Sequence, residues 1–378
     1  MSMKILHIAT DEKFIDSAID QFTWYENVES DFFICCPQNE VKYIHSTASN
    51  VRFFDSAAKL VSAANAMNAD FVMLHSFGIS YVELLKLKHR IIWKLWGYDF
   101  YSDKYDRIQR AVSLNLYGPR TRVQTTSLKQ KYKHFLRSLA GLCGVKAEKQ
   151  KQYDALVSKV EFLAPVFDEE FELAKKKFPH LKYCPFQYYS GGKSNFEFKK
   201  VSFEQPYNIF IGNSLDPTNN HLDILAELDK LGKPVSVIMP ISYSGSPEYK
   251  TFLKAECAKY KNVSIRFLET FMERSEYFKL ASTCPFAIYG HRRQQAAGNI
   301  GQMLKDGVKV FLYKDSINYQ YYSNHGYKVF SIEDELNEEN LKEPLAAEFV
   351  QQNRNAYMKY ENTETYVETM KNFFLRLV

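Results

Sequence analysis

Residues 286–312 constrain the fold most strongly, because two apolar runs there flank a polar loop and a short helical pattern. The pattern predicts a buried strand at 286–289, a short helix at about 298–305 that Gly307 ends, and a second buried strand after it. A strand, a loop, a helix and a strand in this order are the building block of a parallel α/β sheet.

The loop inside this unit carries groups that suit an anion. Arg292 and Arg293 precede Gln294 and Gln295, and Gly298 stands where the helix is expected to begin. Free N–H groups and the positive end of the helix dipole collect at a helix N-terminus, so a phosphate group can bind there with help from arginine. We therefore interpret the loop as a diphosphate site. The pattern leaves open a solvated loop that only closes a sheet edge.

The first half of the chain alternates expected strands with expected helices. Strands are predicted at 3–8, 32–36, 51–54, 71–75 and 90–96, and helices at 11–21, 57–67 and 81–87. This spacing favours a doubly wound sheet, in which ligands collect at the carboxyl ends of the strands. His75 and Asp99 fall at two such ends, and either could act as a catalytic base. The alternatives are a helix cap for Asp99 and a backbone hydrogen bond for His75.

A second domain is expected after a change of composition between Tyr189 and Phe203, where residues 190–195 read Ser-Gly-Gly-Lys-Ser-Asn, a sequence typical of linkers. Its first strand, at 207–211, breaks into Gly212, Asn213 and Ser214. Further strands are predicted at 235–240 and 263–267, and helices at 222–231, 248–259 and 274–281. A length of 378 residues also suggests two domains. We place them at 1–195 and 203–355, and a helix at about 360–378 could return to the first.

The basic charge is concentrated in one region. The net charge is +5, yet residues 104–151 hold twelve Lys or Arg against two acids. Within them, residues 126–140 have apolar side chains at helical spacing and a cationic opposite face that includes Lys129, Lys133 and Arg137. Such a helix suits an anionic membrane surface. A helix that packs its apolar stripe on the sheet is the open alternative.

Several classes of protein lose support from the sequence. No apolar run approaches the roughly 20 residues that span a bilayer, and the N-terminus enters a strand pattern without an export signal, so we expect a cytoplasmic protein. The six cysteines show no metal spacing. Dehydrogenase, kinase, zinc-enzyme, serine-hydrolase and D-x-D patterns are missing, so neither metal nor cofactor is expected. Two α/β domains with an anion loop suit metal-free transfer from a nucleotide sugar.

Four blocks, which occur in this order from about His75 to Leu312, resemble a known family. They are Trp96-Gly97-Tyr98-Asp99-Phe100-Tyr101, then Ile211-Gly212-Asn213-Ser214 with Asn219-Asn220-His221, then Met239-Pro240 with Tyr243, and finally Arg293-Gln294-Gln295 with Gly298. Together they resemble glycosyltransferase family 56, the dTDP-N-acetylfucosamine:lipid II transferases of enterobacterial common antigen synthesis.

The resemblance implies an α/β GT-B fold, with two Rossmann-like doubly wound domains that face a cleft. The first would bind the acceptor and the second the nucleotide sugar. The implied donor is a dTDP-linked deoxyamino sugar. The implied acceptor is a saccharide on a polyprenyl diphosphate, at the inner face of the cytoplasmic membrane and in surface polysaccharide synthesis.

The resemblance also assigns residues to the donor and to the reacting carbon. Asp99 and His75 would point to the reacting carbon from the first domain. The residues implied at the donor are Gly212, Asn213, Ser214, Tyr243, Glu269, Arg293, Gln294, Gln295, Gly298 and Asn299. Glu269 could instead be a solvated carboxylate. Two departures are Ala296, where the family prefers glycine, and a longer basic region after Tyr101.

Two other functions stay open at this point. One is a GT-B transferase with a different donor and acceptor. The other is a non-catalytic protein that uses residues 104–151 to bind anionic lipid or nucleic acid. We do not expect nucleic acid as a partner, because the aromatic residues are not clustered as a stacking platform.

Overall fold

The computed structural model describes residues 2–102, 110–125, 145–189, 201, 203 and 207–378. The chain divides into two compact units. Unit 1 comprises Met1–Ser113, Phe135–Asn195 and Thr363–Val378, and unit 2 comprises Leu114–His134 and Phe196–Asn362. The C-terminal segment therefore belongs to unit 1. Among the described residues, 114–125 group with unit 2. The domain limits of 1–195 and 203–355 stay a prediction.

Strands and helices alternate through the first part of the chain. The strands are β1 (Met3–Ala9), β2 (Val28–Cys35), β3 (Val51–Phe54), β4 (Phe71–His75), β5 (Arg90–Lys94), β6 (Tyr101–Ser102), β7 (Val112–Ser113), β8 (Val160–Ala164) and β9 (Lys182–Tyr183). The helices are α1 (Ile15–Phe22), α2 (Ala57–Ala66), α3 (Tyr81–Leu84), α4 (Gly97–Phe100), α5 (Pro119–Thr125), α6 (Val145–Lys159) and α7 (Asp168–Lys177).

Unit 1 is built on a parallel sheet with the strand order β3-β2-β1-β4-β5-β8-β9. All five residues of β4 are buried, as expected for a central strand that is covered on both faces. The short strands β6 and β7 pair separately. The strand order reverses between β1 and β4, so the switch point of the sheet lies at the carboxyl ends of these two strands.

Apolar side chains from sheet and helices form the core of unit 1. Ile5 of β1, Phe32 of β2 and Met73 of β4 pack with Ile15 and Phe22 of α1. Because these side chains leave water together, their burial supplies the main favourable free energy of the unit.

The second part of the chain repeats the alternation. Its strands are β10 (Asn208–Ile211), β11 (Val235–Pro240), β12 (Val263–Leu268), β13 (Phe286–Tyr289), β14 (Lys309–Leu312) and β15 (Phe330–Ser331). Its helices are α8 (His221–Asp229), α9 (Pro247–Cys257), α10 (Arg274–Ala281), α11 (Ala297–Asp306), α12 (Ile317–Asn324), α13 (Ile332–Glu335), α14 (Ala347–Tyr360) and α15 (Thr363–Leu377). Of these, α15 belongs to unit 1, and α5 from the preceding part belongs to unit 2.

Unit 2 has a second parallel sheet, with the strand order β12-β11-β10-β13-β14-β15. Its core includes Ile209, Val237, Phe286 and Phe311 from four neighbouring strands. The strand order reverses between β10 and β13. Each unit is therefore a Rossmann-like α/β fold with its own hydrophobic core, as the strand and helix pattern predicted.

Several predicted elements match the structure residue for residue, namely the strands 51–54, 71–75, 235–240 and 286–289 and the helix 274–281. Gly307 ends α11 with a φ of +90°, in agreement with its predicted role. The helices α6 and α12 were not predicted. The predicted basic helix at 126–140, with Lys129, Lys133 and Arg137, lies outside the described residues. Among the helices that are described, none is long and apolar enough to cross a membrane.

Candidate functional site

The most informative positions in each unit lie where the strand order reverses. In open parallel sheets, the crevice at such a switch point lies outside the carboxyl ends of two strands whose connections run in opposite directions. In unit 2 these are the ends of β10 and β13, which the chain leaves at Gly212 and Gly290. In unit 1 they are the ends of β1 and β4, which the chain leaves at Thr10 and Ser76.

Asn219 joins the two loops at the switch point of unit 2. Its Oδ1 atom accepts hydrogen bonds from the Asn213 backbone N–H and from Nε2 of His291, both at 2.9 Å. Its Nδ2 atom donates to Ser214 Oγ and to the Asp216 carbonyl. Because Asn219 is fully buried, this network holds the loop after β10 against the loop after β13.

Gly212 lets the backbone pass close to the side chain of Asn219, which forms the centre of this hydrogen-bond network (the Asn219 hub). Its φ is +70°, and a Cβ atom at this position would lie 2.5 Å from Asn219 Oδ1. Only glycine accommodates both the left-handed conformation and the close approach. The glycine turn of the sequence prediction is therefore present at the carboxyl end of β10.

The side chains of the two loops also contact each other. Asn213 Nδ2 donates to the Tyr243 hydroxyl at 2.9 Å, and Gln295 Nε2 donates to Asn213 Oδ1 at 3.4 Å. Gln295 Oε1 lies 2.7 Å from the Thr218 hydroxyl. The structure thus brings together Asn213, Tyr243 and Gln295, three of the residues that the family resemblance implied at the donor. Their role in donor binding stays a prediction.

Helix α11 presents its N-terminus directly after this loop. Ala296 precedes it in the left-handed conformation, with φ of +59°, which gives a backbone reason for glycine at the corresponding family position. Gly298 lies exposed in the first turn, where a helix has N–H groups without intrahelical acceptors. Gln294 lies half-buried in the same loop.

The two neighbouring arginines have different surroundings. Arg292 forms an ion pair with Asp315 and lies over the Tyr313 ring. Arg293 is half-buried, and its one hydrogen bond to a described residue is a long contact of 3.4 Å to the Gln294 carbonyl. Within the described part of the chain Arg293 has no acidic partner, so most of its five donors are available for an anion.

Other predicted donor residues lie further from this network or serve it indirectly. Glu269 is 42% exposed and forms ion pairs with Lys250 and Lys254, which fits the solvated carboxylate that the sequence left open. The Lys254 and Lys250 ammonium groups lower the pKa of Glu269. Asn299 Nδ2 donates to the Tyr277 hydroxyl and so ties the first turn of α11 to α10.

Two buried histidines at this site were not singled out as donor residues. His221 begins α8, and neither ring nitrogen has a hydrogen-bond partner among the described residues. Burial lowers its pKa to about 4. His291 donates to Asn219, and burial lowers its pKa well below the usual range. Both rings are therefore neutral, and their spacing in the sequence carried no signal of this shared burial.

His75, at the switch point of unit 1, lies in a buried chain of hydrogen bonds. Its Nε2 atom is 3.0 Å from Nδ1 of His7, and its Nδ1 atom is 2.7 Å from the Tyr188 hydroxyl. Burial, with a smaller contribution from the Lys94 ammonium, lowers the pKa of His75 to about 3. Both ring nitrogens are hydrogen-bonded to protein groups, so His75 helps to hold the end of β4 in place. The role of His75 as a base stays a prediction.

Asp99 is also fully enclosed. Its Oδ2 atom accepts from the Phe77 backbone N–H at 3.0 Å and from Trp93 Nε1 at 2.8 Å, and its Oδ1 atom accepts from the Trp96 backbone N–H at 2.7 Å. The last contact caps α4, which was the alternative reading of this residue. Burial raises the pKa of Asp99 to about 7 despite these donors. Its role as a base stays a prediction as well.

Metal ligation has no candidate among the residues that the structure describes, since no three His, Cys, Asp or Glu side chains are grouped suitably. The groups near the switch point of unit 2 are amides, hydroxyls, the Arg293 guanidinium and a helix N-terminus. They can bind an anion and hydroxyl groups.

Solved structures of glycosyltransferases share the fold. The chain aligns over its full length with a lipopolysaccharide outer core galactosyltransferase (WaaB), at 7% identity, a TM-score of 0.56 and 100% coverage of that chain. It aligns over its full length with an α,α-trehalose 6-phosphate synthase from Burkholderia multivorans, at 9% identity, a TM-score of 0.54 and 93% coverage of that chain. It also aligns over its full length with a glycosyltransferase from Rickettsia africae, at 11% identity, a TM-score of 0.51 and 96% coverage of that chain. At these identities the likeness shows the GT-B fold alone.

Sequence comparison identifies the family. A family model described as 4-alpha-L-fucosyltransferase glycosyl transferase group 56 matches residues 171–371, which is more than half of the chain. The match covers both loops at the switch point of unit 2. The chain is a glycosyltransferase with a GT-B fold, and it belongs to glycosyltransferase group 56, the 4-alpha-L-fucosyltransferase family.

Proposed function

We propose that unit 2 binds the diphosphate of a nucleotide-sugar donor at the ends of β10 and β13. The observation that carries this proposal is Arg293, a half-buried guanidinium without an acidic partner among the described residues, beside the N-terminus of α11. The exposed Gly298 allows close approach of the ligand to the first turn. Gly212, Asn213 and Ser214 form the neighbouring loop after β10, and Asn213 contacts Gln295.

These groups would act on the leaving group of the transfer. An oxygen of the acceptor bonds to the anomeric carbon of the donor, the bond from that carbon to the diphosphate breaks, and the acceptor hydroxyl loses its proton. Negative charge then develops on the diphosphate. Arg293 and the positive end of the α11 dipole stabilise that charge more strongly than they stabilise the intact donor, which lowers the barrier.

The proposed donor is a dTDP-linked deoxyamino sugar. The family description supports a deoxy sugar, since it names a fucosyltransferase. The amide groups of Gln294 and Gln295, in the loop before α11, would contact the sugar or its diphosphate, and Asn299 would support that loop through its hydrogen bond to Tyr277. Tyr243, which is 41% exposed, offers a ring for the nucleoside.

The proposed acceptor is a saccharide carried on a polyprenyl diphosphate, as in surface polysaccharide synthesis. The charge of residues 104–151 supports contact with an anionic membrane surface, which would hold the enzyme at the lipid that carries its acceptor. This contact would place the enzyme at the inner face of the cytoplasmic membrane.

A thermal-shift screen with dTDP, UDP, GDP and CMP tests the proposed donor site. We expect dTDP to raise the melting temperature most, because a ligand that binds only the folded state stabilises it by mass action. Arg293→Ala should abolish most of this shift and lower kcat/KM by about 10²–10³-fold.

Arg292→Ala is the matched control, because it removes the same charge one residue away from a guanidinium already paired with Asp315. It should keep the dTDP-induced shift. If no nucleotide stabilises the wild-type protein, or if both arginine variants respond to dTDP like the wild type, the assignment of Arg293 to the diphosphate is wrong.

A further inference from the structure

The switch point of unit 1 gathers polar side chains that the family comparison does not assign. The chain leaves β1 through Thr10 and Glu12 and leaves β4 through Ser76 and Gly78. These two strands are neighbours in the sheet, so the two loops begin side by side. The crevice outside the carboxyl ends of such strands is where open parallel sheets bind ligands.

Three hydroxyl groups converge on Gly78. A Cβ atom at Gly78 would lie 2.8 Å from the Tyr98 hydroxyl and 3.3 Å from both Ser76 Oγ and Thr10 Oγ1. The Tyr98 and Ser76 hydroxyls are hydrogen-bonded to each other. Ser76 has a φ of +79°, a conformation that serine rarely adopts and that is concentrated at functional sites.

Glu12 adds a carboxylate to these hydroxyls. Its Oε1 atom accepts from Thr10 Oγ1 at 3.3 Å, and its Oε2 atom has no hydrogen-bond donor among the described residues. Its charge contributes to the raised pKa values of Tyr98 and Tyr188, so it lies near both rings.

The neighbouring acids are used differently. Asp11 accepts hydrogen bonds from the backbone N–H groups of Lys42, Tyr43 and Ile44. Asp16 accepts from those of His45 and Ser46. Both therefore hold the segment after β2, whereas the Glu12 carboxylate accepts no backbone N–H from the part of the chain that the structure describes.

A structural role for Glu12 at the start of α1 is not supported. The N-cap of α1 is Phe14, and no side chain caps this helix. A carboxylate stabilised by a helix N-terminus would have a lowered pKa. Burial instead raises the pKa of Glu12, so burial outweighs any such stabilisation.

Aromatic rings lie near these polar groups, since the charge of Glu12 acts on Tyr98 and Tyr188. Phe14 is 42% exposed and stacks on Tyr188 with a centroid distance of 5.5 Å. Trp96 lies 5.8 Å from Phe14, and Tyr98 is also 42% exposed. Hydroxyls and a carboxylate beside partly exposed aromatic faces match a sugar ring, which has C–H faces and a rim of hydroxyl groups.

We propose that Thr10, Glu12, Ser76, Tyr98 and Phe14 form a subsite for the acceptor saccharide, in which Glu12 accepts a hydrogen bond from a sugar hydroxyl. This inference rests on the proposed function, because it presumes a saccharide acceptor. Phe14 packs against the ring face, and the Tyr98 and Thr10 hydroxyls fix the orientation of the ring.

Saturation-transfer NMR with free N-acetylglucosamine, N-acetylmannosamine and glucose tests the subsite directly. In the wild-type protein we expect transfer to the ring protons of at least one of these sugars. Glu12→Gln should weaken the binding of that sugar about tenfold or more, because a hydrogen bond to a charged acceptor is lost. Phe14→Ala, at an exposed position, should abolish the transfer without affecting folding.

Glu40→Gln, which removes an exposed carboxylate elsewhere in unit 1, is the control and should bind the sugars like the wild type. Equal binding by wild type and Glu12→Gln, or no transfer to any of the three sugars, would overturn the subsite. Thermal stabilisation by dTDP should be the same in Glu12→Gln and in the wild type. If dTDP does not stabilise the wild-type protein, that result contradicts the donor proposal and not the saccharide subsite.

Discussion

At the scale of single residues, the structure separates polar groups that support the fold from polar groups that are free to bind. Asp99 and Arg293 illustrate the contrast. Both were candidates from the sequence, but the two oxygens of Asp99 accept three hydrogen bonds from the protein, while Arg293 has one long contact to a described residue. A sequence reports that a carboxylate follows a strand, but not which donors surround it.

Asp99 should make stability depend on pH. Its pKa is raised from 3.8 to about 7, so the folded state binds the proton more tightly than the unfolded state. The stability it contributes is full below pH 3.8 and is lost as the pH rises through 7. Asp99→Asn should therefore flatten the decline in melting temperature between pH 4 and 7.

The same substitution places an amide N–H₂ against backbone and indole donors, so it should also cost about 1–3 kcal/mol of stability. Circular dichroism melts across pH 4–8 measure both effects, with Asp55→Asn as an exposed control. An unchanged pH profile would show that Asp99 is ionised throughout this range. Wild-type transferase activity of Asp99→Asn would reject Asp99 as a base.

A comparison of alanine substitutions at Gly212 and Gly232 measures the cost of close packing, because the cost of backbone strain is similar at both positions. Both have left-handed φ values, +70° and +66°, but a Cβ atom meets Asn219 at Gly212 and nothing within 4 Å at Gly232. Gly232→Ala should cost about 1 kcal/mol from strain alone. Gly212→Ala should cost about 1–3 kcal/mol more, because the Asn219 hub must move.

Thermal denaturation of the two glycine variants gives this difference directly. Gly212→Ala should also reduce the melting-temperature shift caused by dTDP, whereas Gly232→Ala should retain it. Equal destabilisation by the two substitutions would mean that the loop after β10 adjusts without cost.

At the scale of secondary-structure elements, the predictable part of the fold follows from hydrophobic periodicity. The buried strands β4 and β13 were predicted residue for residue, because central parallel strands read as continuous apolar runs. Helix α6 was not predicted, since its hydrophobic residues form no clear stripe. The turn at Gly212 could be predicted from glycine and polar residues after a strand, but the buried pairing of Asn219 with His291 depends on tertiary structure.

Helix α15 shows how an element distant in sequence completes a core. Its Met370, Phe373 and Leu377 are buried in the core of unit 1, and Phe373 packs edge-to-face on Phe22 of α1 at 5.8 Å. Phe373→Ala should lower stability by about 3–5 kcal/mol, because it leaves a cavity there.

Leu375→Ala lies on the same helix with its side chain 73% exposed, and it should change stability by no more than about 0.5 kcal/mol. Chemical denaturation followed by tryptophan fluorescence compares the two, since all three tryptophans of the sequence lie in unit 1. Similar losses from both substitutions would contradict the packing of α15 described above.

At the scale of the whole molecule, both units contain a parallel sheet with a switch point, but different side chains lie at the two switch points. Unit 2 offers a guanidinium, amides and a helix N-terminus, which suit a diphosphate. Unit 1 offers a carboxylate, hydroxyls and aromatic rings, which suit a neutral sugar. The division follows from the loops after equivalent strands, because a parallel α/β fold fixes where ligands bind but not which ligands.

Hydrogen exchange measured by mass spectrometry can test this division across both units at once. We expect dTDP to slow exchange in peptides that cover residues 212–221 and 293–299, because a bound ligand suppresses local opening around it. Peptides that cover residues 10–14 and 76–78 should be unaffected by dTDP. N-acetylglucosamine or another sugar that binds in the NMR experiment should protect the latter peptides and not the former. If dTDP protected residues 10–14 and 76–78 while leaving 293–299 unchanged, the proposed roles of the two switch points would be reversed.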